Sequence, residues 1–337
     1  MATEHEAIPA EDSALYGHEL RLELLRLMLL HRLTEERVMA LYRQGRISGS
    51  VYTGRGQEAV GAAAGLALGP DDVVAPLNRE LGCHYARGVT PAQAFGNFLA
   101  KANGPTRGRD GNMHFGVPAR GVFPLVSMLG DLCPLVVGAA LAFKRRREPR
   151  VSMTFWGDGA MSVGDVHEGL NLAAVLHVPV VFVLQSNGYA YSTPTARQML
   201  NPSMAERVTG GWGIPAETID GTDAISSYTA IRAAVERARA GEGPQAVECI
   251  SMRIDGHAAH DDGKYMDQDR RCEYLERRDP IERLLARLRL DGADDDDLAA
   301  AQASALAEVN AGLAEAESWP APDPATLADG VYASPLG

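Results

Sequence analysis

The sequence has few of the features that would place a protein in a membrane or an oxidising compartment. No stretch of the 337 residues reaches the roughly 18 uninterrupted apolar residues that a membrane span needs, and the first residues are acidic and polar. Its four cysteines lie far apart, without the close pairs that metal and redox motifs use. We therefore expect a reduced, cytoplasmic protein with no membrane partner.

Positive charge is also in deficit. The 32 Lys and Arg residues against 44 Asp and Glu give a formal net charge of -12. This field would repel a phosphate backbone, so nucleic acid is not an expected partner. The densest basic run, Lys144-Arg145-Arg146-Arg147, follows a predicted apolar helix and is interpreted as a solvated loop.

The sequence does contain a regular alternation of helical and strand-like segments. Apolar side chains recur at helical spacing over residues 20–42, and helical patterns also cover residues 56–68, 91–102, 134–144, 163–176, 226–240 and 280–319. Runs of strand length occupy residues 73–75, 151–156, 178–184, 216–220 and 245–252.

This alternation predicts an α/β fold with a doubly wound, mostly parallel sheet flanked by helices. An N-terminal helix should open the fold, and a C-terminal helical region should close it. We expect one domain over residues 1–337, with its core at about residues 20–319 and residues 1–15 flexible.

Two polar turns follow successive predicted strands. Gly157-Asp158-Gly159-Ala160 comes after the first of these strands, and Asn187-Gly188-Tyr189 comes after the second. Because parallel strands end at the same edge of a sheet, we expect Asp158 and Asn187 to converge. A carboxylate, an amide oxygen and the backbone carbonyl of Tyr189 suit the octahedral oxygen shell of Mg²⁺. The adjacent glycines and the start of the next helix suit a bound diphosphate.

Other phosphate-binding loops fit this stretch poorly. A Walker loop needs Gly-Lys-Ser/Thr, but Gly164 is followed by Asp165, and a dinucleotide fingerprint needs a third glycine where Ser162 stands. The simplest alternative is a turn in which Asp158 only caps a helix and Asn187 only makes a turn. The paired placement of the two side chains favours the magnesium interpretation.

These residues, together with further segments, resemble a known family. Gly157-Asp158-Gly159 through Asn187 is similar to the thiamine-diphosphate signature, and residues 188–194 (GYAYSTP) resemble the stretch that follows it in alpha subunits of 2-oxoacid dehydrogenases. The segments GQEA at residues 56–59, GNMH at 111–114, EGLNLAA at 168–174 and GH at 256–257 match the family in the same order. The sequence thus resembles the alpha subunit of the thiamine-diphosphate-dependent first component over about residues 20–319.

The resemblance implies a cofactor site built on thiamine diphosphate and Mg²⁺. Asp158, Asn187 and the Tyr189 carbonyl would hold the metal, with backbone groups of Gly159 and Ala160 near the diphosphate. These roles agree with the oxygen chemistry derived above from the two turns.

The resemblance also assigns residues around that centre. Arg79, Arg253 and His257 would contact the phosphates, and a guanidinium can bind two phosphate oxygens at once. For a single arginine, the alternative is a surface ion pair. His257 would also assist acyl transfer to the lipoyl group, a proton-transfer role suited to imidazole.

Three further positions complete the implied site. Backbone groups at Ser127 and Leu129 would position the aminopyrimidine, and His114 would line the active-site funnel. The sequence departs from the family where Asn78 replaces a common Tyr and where Ser186 replaces a second Asn.

A regulatory feature of some relatives is missing. Mitochondrial relatives carry a phosphorylated serine after the loop histidine, whereas Ala258 follows His257 here. We therefore expect this regulation to be absent.

The implied activity is oxidative decarboxylation of a 2-oxo acid, followed by acyl transfer to a lipoyl domain of the second component. A beta subunit would supply an activating glutamate, which implies an α2β2 heterotetramer and a chain that is inactive alone. The apolar helices near Ala62 and Val136 are interface candidates, and their alternative role is intramolecular core.

The resemblance leaves the substrate open. Pyruvate, branched-chain 2-oxo acids and acetoin are all substrates of close relatives, and residues 187–190 and 192–194 are slightly more similar to the branched-chain group. A further alternative is a non-catalytic assembly or regulatory protein that kept the fold. Retention of Asp158, Asn187, Arg79 and His257 argues against that alternative.

Overall fold

Five parallel strands form the central sheet of the part of the chain that the structure describes. In this computed structural model, which describes residues 17–331, the strand order is β1-β2-β3-β7-β6. The strands are β1 (Val73–Ala75), β2 (Ser152–Gly157), β3 (Val180–Ser186), β6 (Ala216–Asp220) and β7 (Gln245–Ile250). Each neighbouring pair is parallel. β4 (Tyr189–Ala190) and β5 (Thr193–Pro194) form a separate antiparallel hairpin.

The central strands lack an alternating polar pattern because helices cover both faces of the sheet. In β3 the run Val-Val-Phe-Val-Leu-Gln is buried throughout, as expected of a strand in the middle of a parallel sheet. β2 is buried in the same way up to Trp156.

The helices pack in two groups on the sheet. They are α1 (His18–Arg43), α2 (Glu58–Ala67), α3 (Leu81–Ala86), α4 (Pro91–Phe98), α5 (Leu132–Arg146), α6 (Gly164–Leu176), α7 (Met204–Trp212), α8 (Ala224–Arg239), α9 (Gln268–Arg277), α10 (Pro280–Leu290) and α11 (Asp295–Ser318). α5, α6 and α7 pack side by side, α2 packs on α8, and both α5 and α8 contact β3. The predicted fold class, an α/β fold with a mostly parallel sheet flanked by helices, is confirmed.

The terminal helices pack on each other. α11 contacts α1 and α4, and α10 contacts α1. The acidic run of residues 294–297 starts α11, where Asp294 accepts the N–H of Asp296 as N-cap and Asp295 to Asp297 lie in the first helical turn. Negative charge at a helix N-terminus is stabilised by the helix dipole.

Several elements differ from the sequence prediction. The helix predicted over residues 91–102 ends at Phe98, and Ala100 has a φ of 51° in the turn beyond it. The basic run interpreted as a loop instead lies in the last turn of α5, except for its C-cap Arg147. α3, α7, α9 and the β4–β5 hairpin were not predicted. The prediction for residues 1–15 lies outside the described residues, and the extent of the single domain stays a prediction. Within residues 17–331, no helix has both the length and the apolar character needed to cross a bilayer.

Candidate active site

One cavity of about 820 Å³ opens at the carboxyl edge of the sheet. The chain segments that follow β1, β2, β3 and β7 all reach it, because parallel neighbouring strands end on the same side. These segments contribute Arg79, Asp158, Asn187 and Arg253, in that order.

Every site residue predicted from the sequence lines this cavity. They are Arg79, His114, Ser127, Leu129, Asp158, Gly159, Ala160, Asn187, Tyr189, Arg253 and His257. The structure therefore brings the whole set together, and the roles of its members stay predictions.

The Asp158 carboxylate is held by donors from the neighbouring strand end. It is 1% exposed and accepts the backbone N–H of Asn187 at 3.0 Å and that of Gly188 at 3.3 Å. The Thr195 hydroxyl donates to Oδ1 at 2.6 Å. Burial raises the pKa of Asp158, and the Thr195 hydroxyl and the Asn187 N–H oppose that shift. Oδ2 takes only one of these donors, so it keeps a lone pair for a cation.

The Asn187 amide is oriented by its own contacts. Its Nδ2 donates to Gln57 Oε1 at 3.1 Å, and its Oδ1 accepts the Tyr189 N–H at 3.2 Å. An amide oxygen has two lone pairs, so one remains for a metal. The donor set therefore fits Mg²⁺, which binds a few protein oxygens and fills its shell with water and phosphate.

The side chain of Tyr189 is engaged by neighbouring residues, and the role of its backbone carbonyl as a metal ligand stays a prediction. The phenol oxygen accepts the N–H of Asp267 at 3.0 Å, and the ring lies 5.8 Å from that of Tyr265. Gly159 is sterically required, since an added Cβ would lie 2.8 Å from Cβ of Ala190. No group of three or more His, Cys, Asp or Glu side chains within residues 17–331 is arranged to bind a metal. The predicted Mg²⁺ ligands are not such a group, because they comprise one carboxylate, one amide oxygen and one backbone carbonyl.

Two buried guanidiniums face the cavity without a carboxylate partner. Arg79 and Arg253 are 8% and 2% exposed, and neither makes a salt bridge within the described part of the chain. Arg79 donates to the carbonyls of Thr53 and His257, and Arg253 donates to the carbonyl of Tyr191 at 2.9 Å. Burial lowers the pKa of Arg253. Two desolvated cations beside a polar cavity suit a dianion such as a diphosphate.

His257 is a neutral imidazole at the same place. Burial, followed by the fields of Arg79 and Arg253, lowers the pKa of His257 to about 4. Its Nδ1 is buried without a hydrogen bond to any described residue. The ring lies 5.3 Å from that of Tyr52 and 4.5 Å from that of Tyr191. At neutral pH this imidazole can accept a proton.

The remaining predicted residues form a second cluster on the cavity wall. His114 Nε2 and the Ser127 hydroxyl are 2.9 Å apart, and His114 Nδ1 lies 3.3 Å from a carboxylate oxygen of Asp110. Leu129 lines the cavity and is 44% exposed.

Sequence reasoning did not assign roles to four residues that shape the site: Gln57, Thr195, Tyr52 and Tyr191. Gln57 lies in the GQEA segment that carried the resemblance. The segment could therefore be found from the sequence, but the hydrogen bond between Gln57 and Asn187 could not. Tyr191 likewise lies in the GYAYSTP stretch that carried the resemblance, whereas Thr195 follows the hairpin and Tyr52 lies in an irregular segment, where no periodic pattern exists.

Comparison with known proteins gives consistent matches along most of the chain. Residues 25–325 match the family described as dehydrogenase E1 component. The alpha subunit of acetoin:2,6-dichlorophenolindophenol oxidoreductase from Bacillus subtilis is 33% identical over 96% of this chain and 95% of its own length. The 2-oxoisovalerate dehydrogenase alpha subunit of the same organism is 34% identical, covering 92% and 94% of the two chains. The pyruvate dehydrogenase E1 component alpha subunit of Zymomonas mobilis is 33% identical, covering 89% and 85%.

Proposed function

The chain belongs to the dehydrogenase E1 component family, as an alpha subunit of the acetoin, 2-oxoacid and pyruvate dehydrogenase type, and we propose that it binds thiamine diphosphate through Mg²⁺. We propose further that, with a beta subunit, it catalyses oxidative decarboxylation of a 2-oxo acid and acyl transfer to a lipoyl group. The observation that carries the proposal is the meeting of Asp158 and Asn187 with the unpaired Arg79 and Arg253 in one cavity.

The charges around the cavity support binding of a diphosphate. Without an anion, Arg79 and Arg253 are desolvated and repel each other, so folding has stored an electrostatic cost in this cavity. A diphosphate offers several oxygens to the two guanidiniums and relieves that cost. Neither arginine forms a salt bridge with a carboxylate of residues 17–331, which favours an anionic ligand that bridges the metal and the arginines.

The oxygen donors support binding of Mg²⁺. One lone pair on Asp158, one on Asn187 and the Tyr189 carbonyl would provide oxygen ligands of the kind that Mg²⁺ prefers. Thr195 and Gln57 hold the side chains of Asp158 and Asn187 by hydrogen bonds. These two side chains would therefore need little reorientation to bind a metal.

When bound, thiamine diphosphate supplies a carbon nucleophile and an electron sink for loss of carbon dioxide. The chain's own residues orient it and hold protons. Neutral His257 accepts or returns a proton at the mouth, and His114, paired with Ser127, lines the path of the substrate.

Exposed apolar side chains, one of them on the cavity wall, support the presence of a partner subunit. Five apolar residues of α5, α6 and the segment before α5 are exposed: Met128 62%, Leu129 44%, Leu135 42%, Leu172 42% and Val175 73%. Leu129 also lines the cavity, so a subunit that covers Leu129 would help to exclude water from the site. The side chains of Ala62 and Val136 themselves are core, and α2 is buried within the chain.

The substrate is proposed to be a 2-oxo acid, with branched-chain 2-oxo acids and pyruvate as the candidates and acetoin as the alternative. Asn78 puts an amide on the cavity wall. The relatives named above act on different members of this set.

The test is co-expression of this chain with a candidate beta subunit. Oxidation of pyruvate, 3-methyl-2-oxobutanoate and acetoin is then measured with an artificial electron acceptor, with and without thiamine diphosphate and Mg²⁺. We expect one of the three substrates to be oxidised, and we expect this oxidation to require both subunits and both cofactors. The Asp158→Ala complex serves as the matched inactive control.

Two results would contradict parts of the proposal. A full rate from the chain alone would exclude a site shared between subunits. A stable complex that does not bind thiamine diphosphate in a calorimetric titration would instead indicate a non-catalytic assembly protein.

A further inference from the structure

Tyr191 occupies an unfavourable backbone conformation at the tip of the β4–β5 hairpin. The two loop residues are Tyr191 and Ser192, and Tyr191 has a φ of 51°. In this left-handed region a bulky side chain crowds its own backbone, and two-residue hairpin loops usually place Gly, Asn or Asp there. Residues held in such conformations cluster at functional sites, where the surroundings over-determine them.

Tyr191 contacts two residues of the proposed active site, Arg253 and His257, and its ring also lies 6.4 Å from that of Tyr265. Its carbonyl accepts a hydrogen bond from Arg253 at 2.9 Å. Its ring meets the His257 imidazole edge to face, with centroids 4.5 Å apart and planes at 74°. The residue lines the cavity and is 47% exposed, so its ring stands at the mouth rather than in the core.

The His257 imidazole has no hydrogen bond to hold it. Its backbone is fixed, because its N–H donates to Asp261 at 2.5 Å and its carbonyl accepts from Arg79 at 2.8 Å. The ring itself makes no hydrogen bond within residues 17–331, and its Nδ1 is buried. Functional imidazoles are usually oriented by a hydrogen bond at the second nitrogen. Here the edge contacts with Tyr191 and Tyr52 take that place.

We propose that Tyr191 is a positioning residue whose ring orients the His257 imidazole at the mouth of the cavity. Gly or Asn would suit the turn better but would leave the imidazole without this ring contact and free to rotate. The positioning itself follows from the contacts above. Its consequence for transfer to an incoming lipoyl group rests on the proposed function.

Two substitutions separate the ring from the backbone conformation. Tyr191→Phe keeps the ring and loses only the hydroxyl. Tyr191→Asn loses the ring but adopts left-handed φ readily, without the extra unfolded-chain freedom of glycine. The full chain is prepared with ¹³C-labelled histidine, and the His257 signal is assigned by its loss in His257→Gln.

We expect the phenylalanine variant to keep the wild-type His257 chemical shift. The asparagine variant should move that signal while its melting temperature stays the same or rises by about 1–3 °C. In the complex with the beta subunit, Tyr191→Asn should slow transfer to a lipoyl domain by about 2- to 10-fold, the range expected for loss of one aromatic contact. Tyr191→Phe keeps the ring and should transfer at the wild-type rate.

The outcomes distinguish positioning from structure. An unchanged His257 signal in Tyr191→Asn would overturn the proposal, as would a melting temperature several degrees lower, because the ring would then be a structural element. If the wild-type complex shows no decarboxylation, the proposed function fails, whereas the signal and melting measurements on the full chain still decide the role of Tyr191.

Discussion

Burial, followed by the field of the neighbouring Arg253, lowers the pKa of the Arg79 guanidinium to about 10. The two residues come from segments far apart in the chain, after β1 and β7, and meet only because both strands end at the same edge of the sheet. The chain thus keeps two cations together in a cavity at a cost that a bound dianion would offset.

The arginine pair predicts selectivity for the phosphates of the cofactor. Arg79→Gln and Arg253→Gln should each weaken binding of thiamine diphosphate by about 10- to 100-fold, since each removes a charge-assisted contact. Arg237→Gln is the matched control, because this arginine pairs with Glu217 on the surface away from the cavity. Calorimetry with thiamine diphosphate and with unphosphorylated thiamine measures the effect. An equal loss for both ligands would show that the arginines support the fold and not the phosphates.

Asp158 should control binding that depends on Mg²⁺. Asp158→Ala removes the carboxylate, and we expect the difference in thiamine diphosphate affinity with and without Mg²⁺ to disappear. Thr195→Val is the control, because it removes the hydroxyl donor to Asp158 but keeps the charge. It should retain the Mg²⁺ dependence within a few-fold. Unchanged binding in Asp158→Ala, titrated calorimetrically, would remove the assigned metal site.

The sequence was sufficient to predict the meeting of Asp158 and Asn187 because both follow runs of buried strand residues, and the parallel arrangement places strand ends together. Their supporting contacts were not predictable in this way. Gln57 reaches Asn187 across 130 positions of chain, and no local pattern encodes that approach. The contact depends on how α2 packs, which is a tertiary property.

The missed helices have physical reasons as well. α3 has six residues, too few to show a helical period. α9 buries only Tyr274 among its ten residues, so it lacks an apolar face that a sequence pattern would reveal. The formation of both helices therefore depends on packing against the rest of the fold and not on a local sequence pattern.

Gly169 allows α6 to approach α5 closely. A Cβ at Gly169 would lie 2.6 Å from the Cys133 sulfur and 3.0 Å from the backbone nitrogen of Pro134, which cannot move independently. We expect Gly169→Ala to lower the free energy of unfolding by about 1–3 kcal/mol. Gly210→Ala is the control on α7, where nothing lies within 4 Å, and it should stabilise by about 0.5–1 kcal/mol. Urea denaturation measures the free energy of unfolding of both variants. Equal changes in Gly169→Ala and Gly210→Ala would contradict the close packing of α6 on α5.

Glu80 predicts a pH dependence of stability. It is fully buried beside Arg79 and lines the cavity, and burial raises the pKa of its carboxyl to about 7, against the fields of Arg79 and His31. A folded pKa above the unfolded value of 4.5 means that the folded chain holds the proton more tightly. The resulting stability is present below pH 4.5 and is lost as the pH rises through about 7.

Glu80→Gln should remove this loss, because a neutral amide replaces the titrating group. The difference in unfolding free energy between variant and wild type should grow between pH 5 and pH 8, by up to about 3 kcal/mol. The pKa values of His31 and Glu35 are also raised, but these residues are present in both proteins and largely cancel in the difference. A difference that is constant with pH would show that Glu80 is ionised throughout.

The same titration should act on ligand binding. Above pH 7 the ionised Glu80 adds negative charge to the cavity that Arg79 faces, so it opposes a dianion. Affinity for inorganic pyrophosphate should therefore fall between pH 6 and pH 8 in the wild-type chain and fall less in Glu80→Gln. If the two proteins lose affinity in parallel, the fall does not come from Glu80. The carboxyl of Glu80 would then lie too far from the anion to influence it.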